Sequence, residues 1–155
     1  MQINHVLLPL LRGYLSNEGK PEATGFIGSA SIIGTNVCTC AHVLDQINFA
    51  NEVVLTKWNP HLPQEPWVVF SGAIRHSRFD FAILQNSQPP PNASLPLFDG
   101  TLDMGLQVYA FGFHDDGIYI NNGTRKDYQV APRSFFGNVV RVHQKLNNKS
   151  PVRAG

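Results

Sequence analysis

The sequence predicts an all-β protein, either a sandwich or a barrel, built from many short strands. Its 155 residues include 13 glycines and 11 prolines, and turn-forming residues at this density favour short elements over long helices. No apolar stripe with the helical period extends beyond about two turns, whereas β-branched and aromatic runs recur between turn signals. Hydrophobic residues make up 43% of the chain, which is enough for a core. Charged residues make up 15%, against about 25% on average, which argues against a coiled coil or a disordered charged tail as the whole protein.

The first part of the chain is expected to hold several strands. Residues 3–14 predict an opening strand or an irregular segment, and residues 25–34 alternate β-branched, aromatic and small side chains, as in a strand with a bend. The other expected strands are residues 37–44, which run into a short helical or irregular segment, 52–58, 67–74 and 79–84. Residues 16–25 predict a polar loop, and Thr35 with Asn36 predicts a tight turn.

A proline-rich stretch divides the chain. Residues 86–100 show no periodicity, which together with their prolines is typical of a linker. Further strands are expected at residues 105–114, 118–120, 128–130 and 135–146. At about 100–200 residues per domain, the length allows one domain, or one and part of another. The predicted division is a first domain at residues 1–97 and a second at residues 98–155.

Charge is distributed unevenly along the chain. Residues 1–124 carry five basic and ten acidic side chains, whereas residues 125–155 carry seven basic and one acidic. A basic segment can bind nucleic acid, but these side chains are spread through apolar sequence and lack the interleaved aromatic residues of a stacking platform. We interpret them as solvated side chains of ordinary strands and loops, and we predict no nucleic-acid partner.

The expected location is a reducing, cytoplasmic one without membrane contact. No apolar stretch approaches the roughly 20 residues that cross a bilayer, and the start of the chain lacks the basic region and small-residue cleavage site of a signal peptide. The two cysteines, Cys38 and Cys40, do not form a framework of paired cysteines.

These cysteines allow three interpretations. Cys40 is expected mainly to pack in the core. The alternatives are a nucleophilic Cys40 beside His42, and a zinc site built from both cysteines and a distant histidine. Because the chain contains neither Cys-x-x-Cys nor His-Glu-x-x-His, and no glycine-rich loop opens a helix, the sequence predicts no metal and no cofactor.

Two residues are candidates for acid–base chemistry. His42 lies in the segment Thr39–Val43, where a strand gives way to a turn, and this position suits a general base on a rigid scaffold as well as a capping or packing histidine. Asp80 lies between two phenylalanines, so its carboxylate is expected to be partly desolvated and to need a partner. The candidate partners are Arg78, a main-chain N–H at a turn, and His42, whose imidazole the carboxylate would hold in one tautomer.

Five blocks of sequence, in order, resemble those of the trypsin-like (chymotrypsin-fold) serine peptidases, most closely the bacterial intracellular trypsin-like peptidase domains. The blocks are Gly25–Ala30, Thr39–Val43, Asp80–Leu84, Val108–Gly112 and Phe136–Val140. The second is similar to the family's Thr-Ala-Ala-His block, with Cys40 in place of the first alanine. The third is similar to its Asp-[Ile/Leu/Val]-Ala-[Leu/Val]-Leu block. These two blocks are the most specific.

The resemblance implies a fold and an activity. The fold would be a chymotrypsin-like pair of antiparallel β-barrels with an active site in the cleft between them. His42 would be the general base and Asp80 the residue that orients it. The activity would be hydrolysis of peptide bonds in a peptide or protein substrate, through an acyl-enzyme and without a cofactor.

The family's nucleophile, a serine in a Gly-x-Ser-Gly loop, has no counterpart in the sequence. Residues Ser150–Gly155 are similar to the segment before that loop, so the serine would follow two residues beyond Gly155. We therefore expect an N-terminal portion of such an enzyme, inactive alone, whose incomplete second barrel is completed by a further polypeptide segment. The alternative is a non-catalytic β-barrel module that binds a peptide or protein and has lost the nucleophile.

Overall fold

The computed structural model describes residues 6–62, 64–85, 88–91, 94–114, 118–122, 125–129 and 132–142. These residues form an all-β protein with a short 3₁₀ helix, Ala41–Gln46. The strands are β1 (Leu7–Leu15), β2 (Pro21–Ile33), β3 (Asn36–Thr39), β4 (Val53–Thr56), β5 (Val68–Phe70), β6 (Gly72–Arg75), β7 (Ala82–Gln85), β8 (Gln107–Phe113), β9 (Ile118–Asn122), β10 (Arg125–Gln129) and β11 (Pro132–Asn138). The predicted all-β class is confirmed.

The larger sheet is antiparallel and has the strand order β5-β4-β1-β2-β3-β7-β6. Its two edge strands, β5 and β6, are consecutive in the chain, and only Ser71 separates them. Among the described residues, strand pairing closes no sheet into a barrel. Both edges of the larger sheet nevertheless belong to one segment, residues 68–75.

Two clusters of buried side chains hold the larger sheet together. The main cluster contains Leu8, Leu10, Ala30, Ile32, Val37, Leu44, Val54, Val68, Phe70, Ala82 and Leu84. The smaller one contains Leu11, Ala23, Val53 and Leu55. The pairing of β1 with β2 shifts register between Leu10 and Leu11. The shift leaves one extra residue, Ile27, in β2. Because successive side chains of a strand point to opposite faces, Leu10 of β1 lies in the main cluster and Leu11 in the smaller one.

Pro9 is tolerated inside β1 because the sheet does not need its missing N–H. The described ladder between β1 and β4 begins at Leu11, opposite Leu55, which leaves the proline outside it. The buried hydroxyl of Thr56 donates to the Pro9 carbonyl at 2.7 Å. This bond gives a partner to a main-chain acceptor in the interior.

A two-residue turn joins β2 to β3, since Ile33 pairs with Asn36. Gly34 has a φ of +63°, which suits glycine at the first central position of a type II′ hairpin turn. The predicted turn at Thr35 and Asn36 is therefore wrong by one residue, because Asn36 already belongs to β3.

Other predicted elements have different bounds in the structure. The strand expected at residues 67–74 is two strands divided at Ser71, and residues 79–81 form a loop before β7. β2 begins at Pro21, inside the loop expected at residues 16–25, because Pro21 pairs with Leu15 of β1. The partner strand supplies these contacts, and local composition does not reveal them.

Two smaller sheets have two strands each, β9 with β10 and β8 with β11. Beyond β8 and β11, Gly105 N donates to Val139 O at 2.6 Å. The chain divides into two compact units, Met1–Leu97 with Phe111–Arg133, and Phe98–Ala110 with Ser134–Gly155. Assignment of residues 1–97 and 98–155 to two barrels stays a prediction.

In the described ranges, no helix is both long enough and apolar enough to cross a membrane. Two sequence predictions fall outside these ranges. Lys145, Lys149 and Arg153 of the basic segment lie there, and so do Ser150–Gly155, on which the position of the missing nucleophile loop depends.

Candidate active site

The pairing of β3 with β7 brings His42 and Asp80 to the same end of these two strands. The ladder joins Val37 to Leu84 and Thr39 to Ala82. Because the strands are antiparallel, the residues that follow Thr39 and those that precede Ala82 leave the sheet at the same end of the ladder. The start of the helix that carries His42 and the end of the loop that carries Asp80 therefore lie side by side.

The 3₁₀ helix presents His42 to solvent. It begins after Cys40, whose extended main chain (φ −74°, ψ 136°) carries the chain out of β3. Leu44 is buried in the main cluster, and Val43 lies directly over Gly28 of β2. These two inward contacts leave His42 on the exposed side.

Two arginines attach this helix to neighbouring strands. Arg75, the last residue of β6, donates to Asp45 Oδ1 at 2.5 Å. Arg12 of β1 donates to the carbonyl of Gln46 at 3.0 Å and to Glu52 Oε2 at 2.8 Å. The hydrogen bond from Arg12 lowers the pKa of Glu52. The C-terminal end of the helix that carries His42 is thus tied to the sheet at two adjacent residues.

The loop that carries Asp80 is organised by a second histidine, His76. Its Nδ1 accepts hydrogen bonds from the main-chain N–H groups of Arg78, at 3.0 Å, and Phe79, at 3.1 Å. The main-chain N–H of His76 donates to the carbonyl of Phe81 at 2.8 Å. A ring nitrogen that accepts must be unprotonated, so His76 carries its proton on Nε2. His76 therefore fixes the turn from which Asp80 projects.

Asp80 holds His42 at two points. The His42 ring donates from Nδ1 to Asp80 Oδ2, and the main-chain N–H of His42 donates to Oδ1 at 2.8 Å. An ionised carboxylate only accepts hydrogen bonds, so the Nδ1–H tautomer is the one that fits, and Nε2 is left as an acceptor. The side-chain hydrogen bond from His42, followed by the main-chain one, lowers the pKa of Asp80.

Two expectations about this site are wrong. The expected desolvation of Asp80 is contradicted, because 53% of its side chain is exposed, as is 69% of the His42 side chain. The flanking phenylalanines do not cover the carboxylate, since Phe79 and Phe81 are themselves 54% and 38% exposed. Two of the three candidate partners of Asp80 are found together, the His42 ring and a main-chain N–H.

Cys40 is exposed, so the expectation that it packs in the core is also wrong. The reason is that β3 ends at Thr39 and the alternation of its side chains ends with it. Cys38 is buried, and its thiol contacts the carbonyl of Asn36 at 3.9 Å. Burial raises the pKa of the Cys38 thiol. The two cysteines therefore do not face a common site, whereas Cys40 lies beside His42 and Asp80.

Sequence reasoning identifies His42 and Asp80 and misplaces Cys40, and it assigns no role to His76 or to the contact between Gly28 and Val43. His76 could have been suspected, because a side-chain acceptor at the start of a short loop often binds N–H groups of that loop. Gly28 belongs to the first of the five sequence blocks, but no sequence signal links it to Val43. Cys40 is expected in the core as a small packing residue, and this expectation fails because β3 ends at Thr39.

No protein-family model matches the chain, and no curated protein matches it.

Proposed function

We propose that the protein supplies the histidine and aspartate of a trypsin-like serine endopeptidase. The observation that carries this proposal is the two-point contact of Asp80 with the ring and the main chain of His42. In a Ser-His-Asp triad, the carboxylate holds the imidazole in one tautomer and stabilises the imidazolium that forms during reaction. The contact between Asp80 and His42 is suited to both tasks.

Each residue then has a defined step in the reaction. His42 Nε2 takes the proton of a serine hydroxyl as the oxygen attacks the scissile carbonyl, and later returns that proton to the leaving amine. Asp80 stays ionised at neutral pH, because hydrogen bonds from His42 lower its pKa. Its negative charge therefore faces the imidazolium at the step in which the positive charge forms.

The strand order supports a chymotrypsin-like barrel for the first part of the chain. β5 and β6 are the two edges of the larger sheet, and they flank a single residue, Ser71. Edge strands that are consecutive in the chain have the connectivity that a closed barrel of these strands would need. The block with His42 follows β3, and the block with Asp80 leads into β7.

The nucleophile of the proposed reaction is a serine in a Gly-x-Ser-Gly loop, and this motif is absent from the 155 residues. The proposal therefore includes a further polypeptide segment that contributes this loop and completes a second barrel. Peptides or proteins are the proposed substrates.

A fluorophosphonate probe tests the proposal, since it labels activated serines. The 155-residue chain and the product of its whole reading frame are compared. We expect labelling of the whole product alone, lost in His42→Ala and reduced by about 10⁴-fold in Asp80→Asn. Asp99→Asn is the control, because Asp99 is an exposed aspartate of the second compact unit, whereas His42 and Asp80 belong to the first. If the probe does not label the product of the whole reading frame, the proposal of a peptidase is wrong. If the probe labels the 155-residue chain, the nucleophile does not lie in a further segment.

The absence of the serine motif favours one alternative, a non-catalytic module that binds a peptide or protein. A stop codon directly after Gly155, with saturable peptide binding and no cleavage, would support this alternative. In that case Asp80→Asn should change the affinity for the peptide through the orientation of His42. The probe should label neither the original protein nor the variant.

A further inference from the structure

Cys40, His42 and Asp80 bring three potential metal ligands together. One ligand atom from each residue, a thiol sulfur, an imidazole nitrogen and a carboxylate oxygen, lies within 4.8 Å of the other two. All three side chains are exposed. They project from two segments that the ladder between β3 and β7 and the Gly28–Val43 contact hold in place.

The arrangement is triangular and does not match a Cys-His-Asp relay. In a relay the nucleophile and the carboxylate lie on opposite sides of the imidazole, so their reacting atoms are about 7 Å apart when each hydrogen bond spans about 3 Å. Here the sulfur lies within 4.8 Å of the carboxylate oxygen as well as of the ring nitrogen. Three atoms that face one another around a common centre are suited to coordination.

The donor set favours zinc. Thiolate and imidazole ligands select borderline and soft ions such as Zn²⁺ over Mg²⁺ and Ca²⁺, which prefer oxygen. Tetrahedral zinc, with bonds of about 2.0 Å to nitrogen or oxygen and 2.3 Å to sulfur, places its ligand atoms roughly 3.3–3.7 Å apart. Exposed side chains can reach this spacing by small rotations, and solvent can supply the fourth ligand.

We propose that Cys40, His42 and Asp80 form a binding site for Zn²⁺. The ion would replace the hydrogen bond between the imidazole and the carboxylate, since both groups become its ligands. Zinc binding does not depend on peptidase activity. One consequence does rest on the proposed function: an imidazole and a carboxylate that hold zinc cannot serve as base and orienting group, so zinc would inhibit the enzyme.

The test uses the whole chain, with Zn²⁺ in calorimetry and Co²⁺ as a spectroscopic substitute. We expect one saturable site per chain and a thiolate-to-cobalt charge-transfer band in the near ultraviolet that Zn²⁺ abolishes. Mg²⁺ should not compete. Cys40→Ser should remove the band and weaken zinc binding by about tenfold or more, and Asp80→Asn should weaken zinc binding while the band remains.

Cys38→Ser is the matched control, because it makes the same change at the buried cysteine two residues away. It should leave the cobalt band and the zinc affinity unchanged, with circular dichroism verifying the fold of each variant. Zinc affinity that is insensitive to Cys40→Ser, or equally sensitive to Cys38→Ser, would overturn the site. Binding without inhibition of the whole product would leave the site standing and count against the proposed function alone.

Discussion

Asp80 illustrates how an exposed carboxylate can still control its neighbour. An ion pair in contact with water contributes little to stability, and both partners here are more than half exposed. The contact instead fixes the orientation of the His42 ring. One carboxylate oxygen accepts a hydrogen bond from the imidazole, and the other accepts one from the main-chain N–H of the same residue. Rotation of the His42 ring would break the first bond while the second kept the carboxylate in place.

The lowered pKa of Asp80 gives a prediction that does not depend on function. Since His42 is the first cause of the lowering, His42→Ala should raise the pKa of Asp80 towards its ordinary range, as measured by carboxyl NMR titration. A carboxyl whose pKa is lowered by folding adds stability above its unfolded pKa, and this stability is lost as the pH falls through the folded pKa. His42→Ala should therefore reduce the loss of stability on acidification.

Glu52 provides the internal control for this titration. Its pKa is lowered by Arg12 and should not change in His42→Ala. An Asp80 pKa that stays the same in the variant would contradict the contact with His42.

At the scale of single residues, the sequence predicts the pair His42 and Asp80 but not the exposure of either side chain. The sequence pattern places a histidine at the end of one strand and an aspartate before another. Exposure cannot be predicted in this way, because it depends on what packs above the loop. The apolar neighbours of Asp80 predicted burial, yet Phe79 and Phe81 face solvent in substantial part.

At the scale of elements, the position of the helix that carries His42 depends on a glycine in the strand below it. A Cβ atom on Gly28 would lie 2.9 Å from Val43 Cγ1 and 3.1 Å from Cγ2. Valine is stiff about χ1, and rotation would only exchange one close methyl group for the other. The absence of a side chain at Gly28 therefore sets how closely the helix approaches β2.

Gly28→Ala should push the helix away from β2 and destabilise the protein by about 1–3 kcal/mol, as overpacking does. Urea denaturation measures the change. Gly25→Ala is the matched control in the same strand, because its Cβ would meet no atom within 4 Å. Adding Val43→Ala to Gly28→Ala should restore part of the loss. Equal stability of the Gly28→Ala and Gly25→Ala variants would show that the contact does not position the helix.

Strand positions could be predicted where composition and pairing agree. β4 and β8 lie within the segments expected from their apolar runs. The division at Ser71 could not be predicted, because residues 67–74 form one continuous β-favouring run, and the break arises from pairing with two different strands, β4 and β7. Partners distant in sequence decide such features.

At the scale of the whole molecule, apolar burial is unevenly distributed. The larger sheet contains both clusters of buried side chains. β8 and β11 instead expose most of their side chains, including Tyr109 and Phe136, which are 61% and 75% exposed. A two-stranded sheet without a packed face is marginally stable in water, so these strands should open far more readily than the larger sheet.

Hydrogen exchange followed by mass spectrometry measures this difference directly. Amides of residues 107–111 and 134–138 should exchange at least about a hundredfold faster than those of β1, because their opening requires no loss of core contacts. β5 separates edge position from burial: it is an edge strand, yet Val68 and Phe70 are buried, so its paired amides should be protected. If β8 and β11 were as protected as β1, another part of the chain or a second molecule would have to cover their apolar side chains. Fast exchange in β5 as well would show that edge position, and not the lack of buried side chains, makes these strands open.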